Sequence, residues 1–322
     1  MKNNVIIVSG PTASGKTKTS IEIAKLLQSQ GIKTAIVNFD SLLFYREISI
    51  GTAKPTILER AGIDHYMLDI ESIKSPMNAA DFIKKGESII SELLKNDTTV
   101  VLVGGSAFYL RALLKGMYDS STPTSEVKEK LDNTYKEKGI GPFIEYLKSY
   151  DPQSLVNLHE NDHYRLMRAV EHHQSTGTKI SDQKKEMDNQ NPYDFSEIIH
   201  PWNLLHIYLD LPKDQHFEII TARTQSMFDQ GLMAEIEELE KSGFSLEEKP
   251  LLSIGYKEAI EFKKGVFTSV QQCIERISIS TRQLAKGQRT FFNKITPKES
   301  FNPVTDQVKI MERVTAFMKE SK

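Results

Sequence analysis

Residues 5–17 read VIIVSGPTASGKT, a short apolar run that leads directly into a glycine-rich turn. Consecutive apolar, mostly β-branched residues are typical of a buried parallel strand. The turn, Gly10–Thr17, has the spacing G-x-x-x-x-G-K-[ST], and residues 16–28 have the periodicity of a helix. A strand, this turn and a helix in that order predict a P-loop. Such a loop binds phosphate through inward-pointing backbone N–H groups and the positive end of the helix dipole.

The predicted phosphate cradle has eight members: Gly10, Pro11, Thr12, Ala13, Ser14, Gly15, Lys16 and Thr17. Lys16 would bring a full charge to the outer phosphate, and the Thr17 hydroxyl would be a ligand of Mg²⁺. Nucleoside triphosphatases usually carry an apolar strand that ends in a metal-binding aspartate. The strand expected at 98–103 ends in Gly104-Gly105 instead. The motif therefore predicts a bound phosphate or diphosphate without deciding which group is transferred.

Strand-like and helical segments alternate over the first 116 residues, with strands at 34–39 and 98–103 and helices at 79–94 and 106–114. This alternation predicts an α/β fold with a parallel sheet. Residues 117–200 are polar with helical spacing, and 182–191 is expected to be a loop. A strand at 204–211 and long amphipathic helices at 217–242 and 269–293 follow. The prediction is a P-loop core formed by 1–116 and 201–322, interrupted by a helical insertion domain at 117–200.

Bulk composition narrows the classes of protein that fit. The chain has 322 residues and a formal net charge of −2, which suits a two-lobed globular protein without a strong overall field. A single cysteine, Cys273, excludes an intramolecular disulfide and a C-x-x-C zinc site, and is expected to be a small buried hydrophobe. Neither a signal peptide nor an apolar run of ~18 residues is visible. We expect a cytoplasmic monomer without a membrane partner.

Asp40 follows the second predicted strand, so it should lie beside the P-loop at the carboxyl edge of the sheet. A carboxylate next to phosphates would bind a cation, accept a proton or hold a second substrate. A cap of the following turn is the alternative, because Asp-Ser is a good cap pair. Ser106, after the third strand, has the same alternative as a helix N-cap, and Tyr109 is either a core aromatic or a pocket wall.

Five blocks of sequence together resemble the tRNA dimethylallyltransferase family. They are Gly10–Thr17; Asp40-Ser41 with Tyr45-Arg46 and Ile50–Pro55; Leu102–Tyr109; Leu158-His159, Asn161-Asp162 and Arg165–Ala169; and Ile254–Tyr256 with Thr281–Lys286 and Gln288. The blocks occur in family order and span most of the chain. Ile50–Pro55 and Thr281–Lys286 are more specific than the P-loop, which many enzymes share.

The resemblance implies transfer of a dimethylallyl group from dimethylallyl diphosphate to N6 of the adenosine 3′ of the anticodon in tRNA. The P-loop then holds an isoprenoid diphosphate, which accounts for the missing aspartate on the third strand. By resemblance, Asp40 is the general base, Thr12 orients the substrates, and Lys16 and Arg223 stabilise the leaving diphosphate with Mg²⁺. Without the resemblance, Arg223 would be predicted to be a solvent-exposed charge on a helix.

The resemblance also implies contacts with the tRNA anticodon stem-loop, in part through the insertion domain. The expected tRNA-binding residues are Asp40, Ser41, Leu42, Leu43, Ser106, Tyr164, Arg165, Leu166, Met167, Arg168, Arg282, Lys286 and Arg289. The target base must be unstacked to reach a buried P-loop. Residues 117–200 carry more acidic than basic side chains, whereas 276–294 carries five basic residues and no acidic one. Arg282, Lys286 and Arg289 share one helix face, which favours contact with RNA phosphates over an ordinary solvated surface.

Departures from the family pattern lie on the acceptor side: Glu47, Ser49, Gly287 and Phe291 replace other usual residues, and Leu43 stands where many relatives have glutamine. Two other functions remain open from the residues alone. A small-molecule kinase would use the P-loop for ATP, with Asp40 positioning an alcohol. A non-catalytic RNA-binding protein with a relic P-loop would bind RNA without needing Lys16.

Overall fold

The computed structural model describes residues 3–117, 124–188 and 191–320. Contacts within the chain divide it into two compact units. One comprises the chain up to Lys115 and from Tyr193 onward, and the other is Gly116–Pro192. The insertion therefore ends before the expected boundary at 200. The segment after 192 packs on the core: Phe195 is buried there, and Ile199 N donates to Leu114 O at 3.0 Å.

A six-stranded sheet forms the core, and every pair of neighbouring strands is parallel. The strand order is β3-β2-β4-β1-β5-β6. The strands are β1 Asn4–Ser9, β2 Thr34–Asn38, β3 His65–Tyr66, β4 Thr99–Gly104, β5 Asn203–Leu209 and β6 Glu299–Phe301. The α/β class with a parallel P-loop-type core is thus confirmed. The short edge strands β3 and β6 were not foreseen, because two or three residues carry no detectable periodicity.

The helices are α1 Lys16–Ser29, α2 Ala79–Lys95, α3 Ala107–Lys115, α4 Ser125–Lys138, α5 Gly141–Tyr150, α6 Pro152–Asn157, α7 His163–Thr176, α8 Ile180–Asp188, α9 Lys213–Asp229, α10 Leu232–Lys241, α11 Tyr256–Lys263, α12 Val270–Phe292 and α13 Gln307–Glu320. The single helix expected at 217–242 is two helices. Gly231 separates them in a left-handed conformation at φ 100°.

The loop expected at 182–191 is wrong for its first part, because α8 continues to Asp188; residues 189–190 lie outside the described segments. Two contacts at the start of α8 explain the helix. Ile180 packs against the apolar cluster of the insertion, and Ser181 N donates to Asp151 Oδ2 at 3.2 Å. The polar composition that suggested a loop belongs to a helix held by these contacts.

Strand β1 is buried on both faces and fixes the start of the P-loop. Val5 and Ile7 join an apolar cluster on one side of the sheet, and Ile6 and Val8 join another on the opposite side. Each fully buried side chain of this size stabilises the fold by about 1.5–3 kcal/mol. The continuous apolar run is thus explained by a central strand that is covered on both faces.

In the described residues of the insertion, taken by itself, the five helices α4–α8 surround a small apolar core. Leu147 and Leu166 are fully buried in that core. Two tyrosine–histidine pairs add polar ties: Tyr135 with His163, and Tyr146 with His173, each at 2.8 Å.

Cys273 on α12 is buried, as expected, and burial raises the pKa of its thiol to about 12. Within the described segments, the helices are too short or too polar to cross a membrane.

Candidate active site

The P-loop curls between β1 and α1 through left-handed backbone at Ala13 (φ 62°) and Gly15 (φ 81°). Ser14 N donates to Pro11 O at 3.2 Å, which closes the turn. Residues in such a curl present consecutive N–H groups to one anion. At Gly10 an added Cβ would lie 2.5 Å from Leu209 O, so only glycine allows the loop to pack this closely on β5.

Lys16 is buried inside this loop, 8% exposed, and its Nζ donates to Pro11 O at 2.9 Å. Burial lowers the pKa of Lys16; the charge of Asp40 opposes the shift and that of Arg223 adds to it. The ammonium group therefore shares one electrostatic environment with a carboxylate and a guanidinium.

Asp40 stands beside the turn that follows β4. Its Oδ1 accepts hydrogen bonds from Gly105 N at 2.9 Å and from Ser106 Oγ at 3.3 Å. Its own N–H is held by Asn38 Oδ1 at 3.0 Å. The side chain makes no cap hydrogen bond to the 3-10 turn Ser41–Phe44, so the capping alternative does not explain it. Both of these hydrogen bonds go to Oδ1, and among the described residues Oδ2 accepts none.

Arg223 on α9 reaches the same place. Its Nη1 donates to Thr12 Oγ1 at 3.4 Å and its Nη2 to Thr52 O at 3.3 Å, while Nε is buried without a partner in the described segments. Burial lowers the pKa of this guanidinium, and the charge of Asp40 opposes the shift. The alternative of a solvated helix charge therefore does not fit. The structure brings together Thr12, Lys16, Asp40 and Arg223.

Gln288 on α12 ties the P-loop to the turn after β4. Its Oε1 accepts from Thr12 N at 2.8 Å, and its Nε2 donates to Gly105 O at 2.9 Å. The family block contained Gln288, but no role followed from its position. A second residue, His216, also contacts the P-loop: its Nε2 lies 2.8 Å from Thr12 O. The sequence offered no signal that predicted this contact.

Arg289 does not take the position expected of a tRNA-binding residue. Its side chain is only 12% exposed, and Nε forms an ion pair with Asp210 Oδ1 at 2.7 Å. Its Nη2 contacts Leu211 O at 3.1 Å and His216 Nδ1 at 2.7 Å. The three basic residues do share a helix face, but the end of that face near Arg289 packs against the end of β5.

The other two members of that face differ from each other. Arg282 is half-buried, with its guanidinium 5.4 Å from the centre of the Phe217 ring and Nε donating to Ser278 O. Lys286 is exposed. Only Lys286 fully keeps the solvent-facing position that the RNA-contact hypothesis requires.

The segment after Asp40 is half-buried along Ser41, Leu42 and Leu43. Leu42 packs against the apolar cluster that includes Tyr256. Tyr109 is a core aromatic rather than a free pocket wall. Its ring stacks on Phe82 at 5.0 Å.

The loop of the Ile50–Pro55 block is held by Glu235 on α10. Glu235 Oε2 accepts from Ser49 N and Ile50 N, each at 2.9 Å, and its Oε1 accepts from the Tyr256 hydroxyl. Ser49 acts here through its backbone N–H, so the unusual residue at this position does not disturb the contact.

Two of the tRNA-binding residues expected in the insertion are exposed on α7: Tyr164 (70%) and Arg165, which forms an ion pair with Asp162 at 3.3 Å. Leu166 is fully buried and cannot contact RNA; Met167 packs beside it. Arg168 is paired with the mostly buried Glu171.

Thr17 lies in the first turn of α1 and is exposed. In the described part of the chain, no three His, Cys, Asp or Glu side chains cluster as a metal site.

Comparison with known proteins gives the family. The model of the family described as IPP transferase matches residues 43–295. The tRNA dimethylallyltransferase 2 of Geotalea daltonii is 33% identical over 91% of this chain and 86% of its own. The tRNA dimethylallyltransferase of Bacillus cytotoxicus is 32% identical over 97% of this chain and 93% of its own.

A solved structure agrees with these sequence matches. The tRNA isopentenylpyrophosphate transferase of Bacillus halodurans is 25% identical and superposes with a TM-score of 0.68. The superposition covers 99% of this chain and 98% of that one. With the P-loop, Asp40 and Arg223 assembled at one edge of the sheet, and with a family match over most of its length, this chain belongs to the IPP transferase family.

Proposed function

We propose that this protein transfers a dimethylallyl group from dimethylallyl diphosphate to N6 of the adenosine 3′ of the anticodon in tRNA, releasing diphosphate. The observation that carries the proposal is the placement of Asp40 beside a cationic P-loop site in a member of the IPP transferase family. The relatives from Geotalea daltonii and Bacillus cytotoxicus are named as tRNA dimethylallyltransferases.

The diphosphate would occupy the P-loop, where Lys16 and Arg223 supply two positive charges. As the allylic C–O bond breaks, charge builds on the leaving oxygens, and fixed cations and N–H donors stabilise it without reorganisation. Lys16 Nζ donates to the Pro11 carbonyl oxygen at 2.9 Å. This contact would be exchanged for a phosphate oxygen on binding.

Asp40 would receive the proton that adenine N6 loses as its bond to the allylic carbon forms. Gly105 N and Ser106 Oγ fix the Oδ1 atom, so Oδ2 would be the oxygen that faces the acceptor. Thr12 would help to align the two substrates, because its Oγ1 is held by Arg223.

The proposed reaction also uses Mg²⁺, with Thr17 as a ligand of the ion. The exposed hydroxyl in the first turn of α1 fits as one oxygen ligand, with further ligands supplied by the diphosphate and water. When bound, the ion would add positive charge at the leaving group.

The tRNA contacts are proposed at two separate places. In the insertion, Tyr164 and Arg165 present an aromatic ring and a guanidinium to solvent, a combination suited to unstacked bases and phosphates. In the core, Lys286 and the half-buried Arg282 would contact phosphate. The expected monomeric state stays a prediction.

The test is mass spectrometry of an unmodified anticodon stem-loop incubated with the protein, Mg²⁺ and dimethylallyl diphosphate, beside a reaction given ATP. A gain of one dimethylallyl unit on the adenosine 3′ of the anticodon is expected. The gain should be lost in Lys16→Ala and kept in Lys18→Ala, which removes an exposed lysine of the same helix. ATP consumption without modification of any stem-loop would reject the transferase function and favour the small-molecule kinase.

A further inference from the structure

The backbone of Thr12 is held from both sides by residues outside the P-loop. Gln288 accepts from its N–H, and His216 contacts its carbonyl oxygen at 2.8 Å. His216 lies on α9 and is fully buried. Thr12 lies between the end of β1 at Ser9 and the start of α1 at Lys16, so both contacts act on the middle of the cradle.

Arg289 decides which ring nitrogen of His216 carries the proton. A guanidinium has donors and no acceptor, so its contact with Nδ1 at 2.7 Å requires a free lone pair on that nitrogen. The ring proton of the neutral imidazole is therefore on Nε2, where it donates to the Thr12 carbonyl oxygen. Asp210 holds Arg289 in place through the ion pair at 2.7 Å.

We propose that His216 is a positioning residue of the diphosphate site: with its tautomer fixed by Asp210 and Arg289, it donates through Nε2 to Thr12 and holds the P-loop in its binding conformation. The inference rests on the proposed function for the identity of the anion, a diphosphate. His216 touches no reacting atom and acts only through Thr12.

The charges around the ring favour this neutral form. Burial lowers the pKa of His216 below its ordinary 6.5; the hydrogen bond to Thr12 opposes the shift, Arg289 and Lys16 add to it, and Asp210 opposes it. Protonation of Nδ1 would leave two hydrogen-bond donors facing each other, the imidazolium N–H and the Arg289 guanidinium, so that this hydrogen bond would be lost. The cradle should therefore weaken in acid, below pH 6.5.

Two substitutions separate positioning from mere packing. His216→Gln can place an amide N–H near the position of Nε2 and does not titrate, whereas His216→Leu fills space without a donor. His65→Gln, on the edge strand β3, is the matched control. Calorimetry with inorganic diphosphate and Mg²⁺ gives the dissociation constant without RNA, and thermal melts report folding.

The dissociation constant should rise about tenfold in His216→Leu and stay within about threefold of the wild type in His216→Gln at neutral pH. The affinity of the wild type should fall below pH 6.5 more steeply than that of His216→Gln. Equal affinities and equal pH profiles in all three proteins would overturn the inference. If His216→Leu does not fold, the pH comparison with His216→Gln decides.

The two proposals fail in different ways. A wild-type protein that binds diphosphate but does not prenylate RNA would remove the proposed function and leave the role of His216 to be decided by the affinities. A wild-type protein that prenylates RNA with no effect of His216→Leu on diphosphate affinity would remove the role of His216 alone.

Discussion

Asp40 Oδ1 accepts a hydrogen bond from the backbone N–H of Gly105 at 2.9 Å, across 65 residues of sequence. The contact exists because β2 and β4 are neighbours in the sheet, so the residues that follow them meet at one edge. It fixes one carboxylate oxygen, and in the proposed function the other oxygen would face the acceptor base.

Asp40→Asn should lower kcat by about 10²–10⁴-fold, because an amide cannot take the proton from N6. The KM for dimethylallyl diphosphate should change little, since the amide oxygen can still accept from Gly105. Steady-state kinetics with a stem-loop substrate measure both constants. The exposed Asp64→Asn serves as control, and a kcat near that of the wild type would remove Asp40 as the base.

Ser14→Ala tests a hydroxyl inside the cradle. Ser14 Oγ is buried and, among the described residues, has no hydrogen-bond partner, so its removal should leave the unliganded protein as stable or slightly more stable. If the hydroxyl serves the diphosphate, the KM for the donor should rise by about three- to tenfold. A clear drop in melting temperature with an unchanged KM would instead assign Ser14 to the fold.

Glu235→Gln should lower the free energy of unfolding by about 1–3 kcal/mol. Oε2 accepts from two backbone N–H groups, Ser49 and Ile50, and an NH₂ group at that position would face two donors. Denaturant titration measures the loss, with the exposed Glu237→Gln of the same helix as control. Equal stabilities of the two variants would show that this hydrogen bonding is not needed to hold the loop.

Lys286→Ala should weaken binding of a tRNA stem-loop and reduce the slope of log K against log salt by about 1, as expected for one phosphate contact. Filter binding at several salt concentrations gives the slope. Lys241→Ala, at the end of α10, is the control. An unchanged slope would place the RNA contact elsewhere.

Arg289→Lys tests whether Arg289 supports diphosphate binding while its neighbour on the same helix face, Lys286, contacts RNA. Lysine cannot reproduce the forked contacts with Asp210, Leu211 and His216, so diphosphate affinity should fall. The salt slope of RNA binding should remain that of the wild type, because the side chain is mostly buried. Calorimetry and filter binding on one preparation check both; a reduced slope would return Arg289 to the RNA surface.

Local sequence determined the parts of the site that are contiguous in the chain. A β-branched run, two glycines and Lys16-Thr17 specify strand, curl and helix within residues 5–17, because buried strands need apolar side chains and the curl needs left-handed backbone. The same reasoning placed Asp40 and Ser106 at one edge of a parallel sheet. Resemblance added Arg223, which pattern alone would have left on the surface.

Tertiary structure alone decided how distant segments hold that edge. Periodicity put Arg282, Lys286 and Arg289 on one helix face, but it could not show that Arg289 packs on Asp210 while Lys286 faces solvent. His216 and Gln288 meet Thr12 across 204 and 276 residues. No spacing in the chain encodes such contacts. Hydrogen bonds between distant side chains depend on which helices pack over the sheet, and packing is a property of the whole fold.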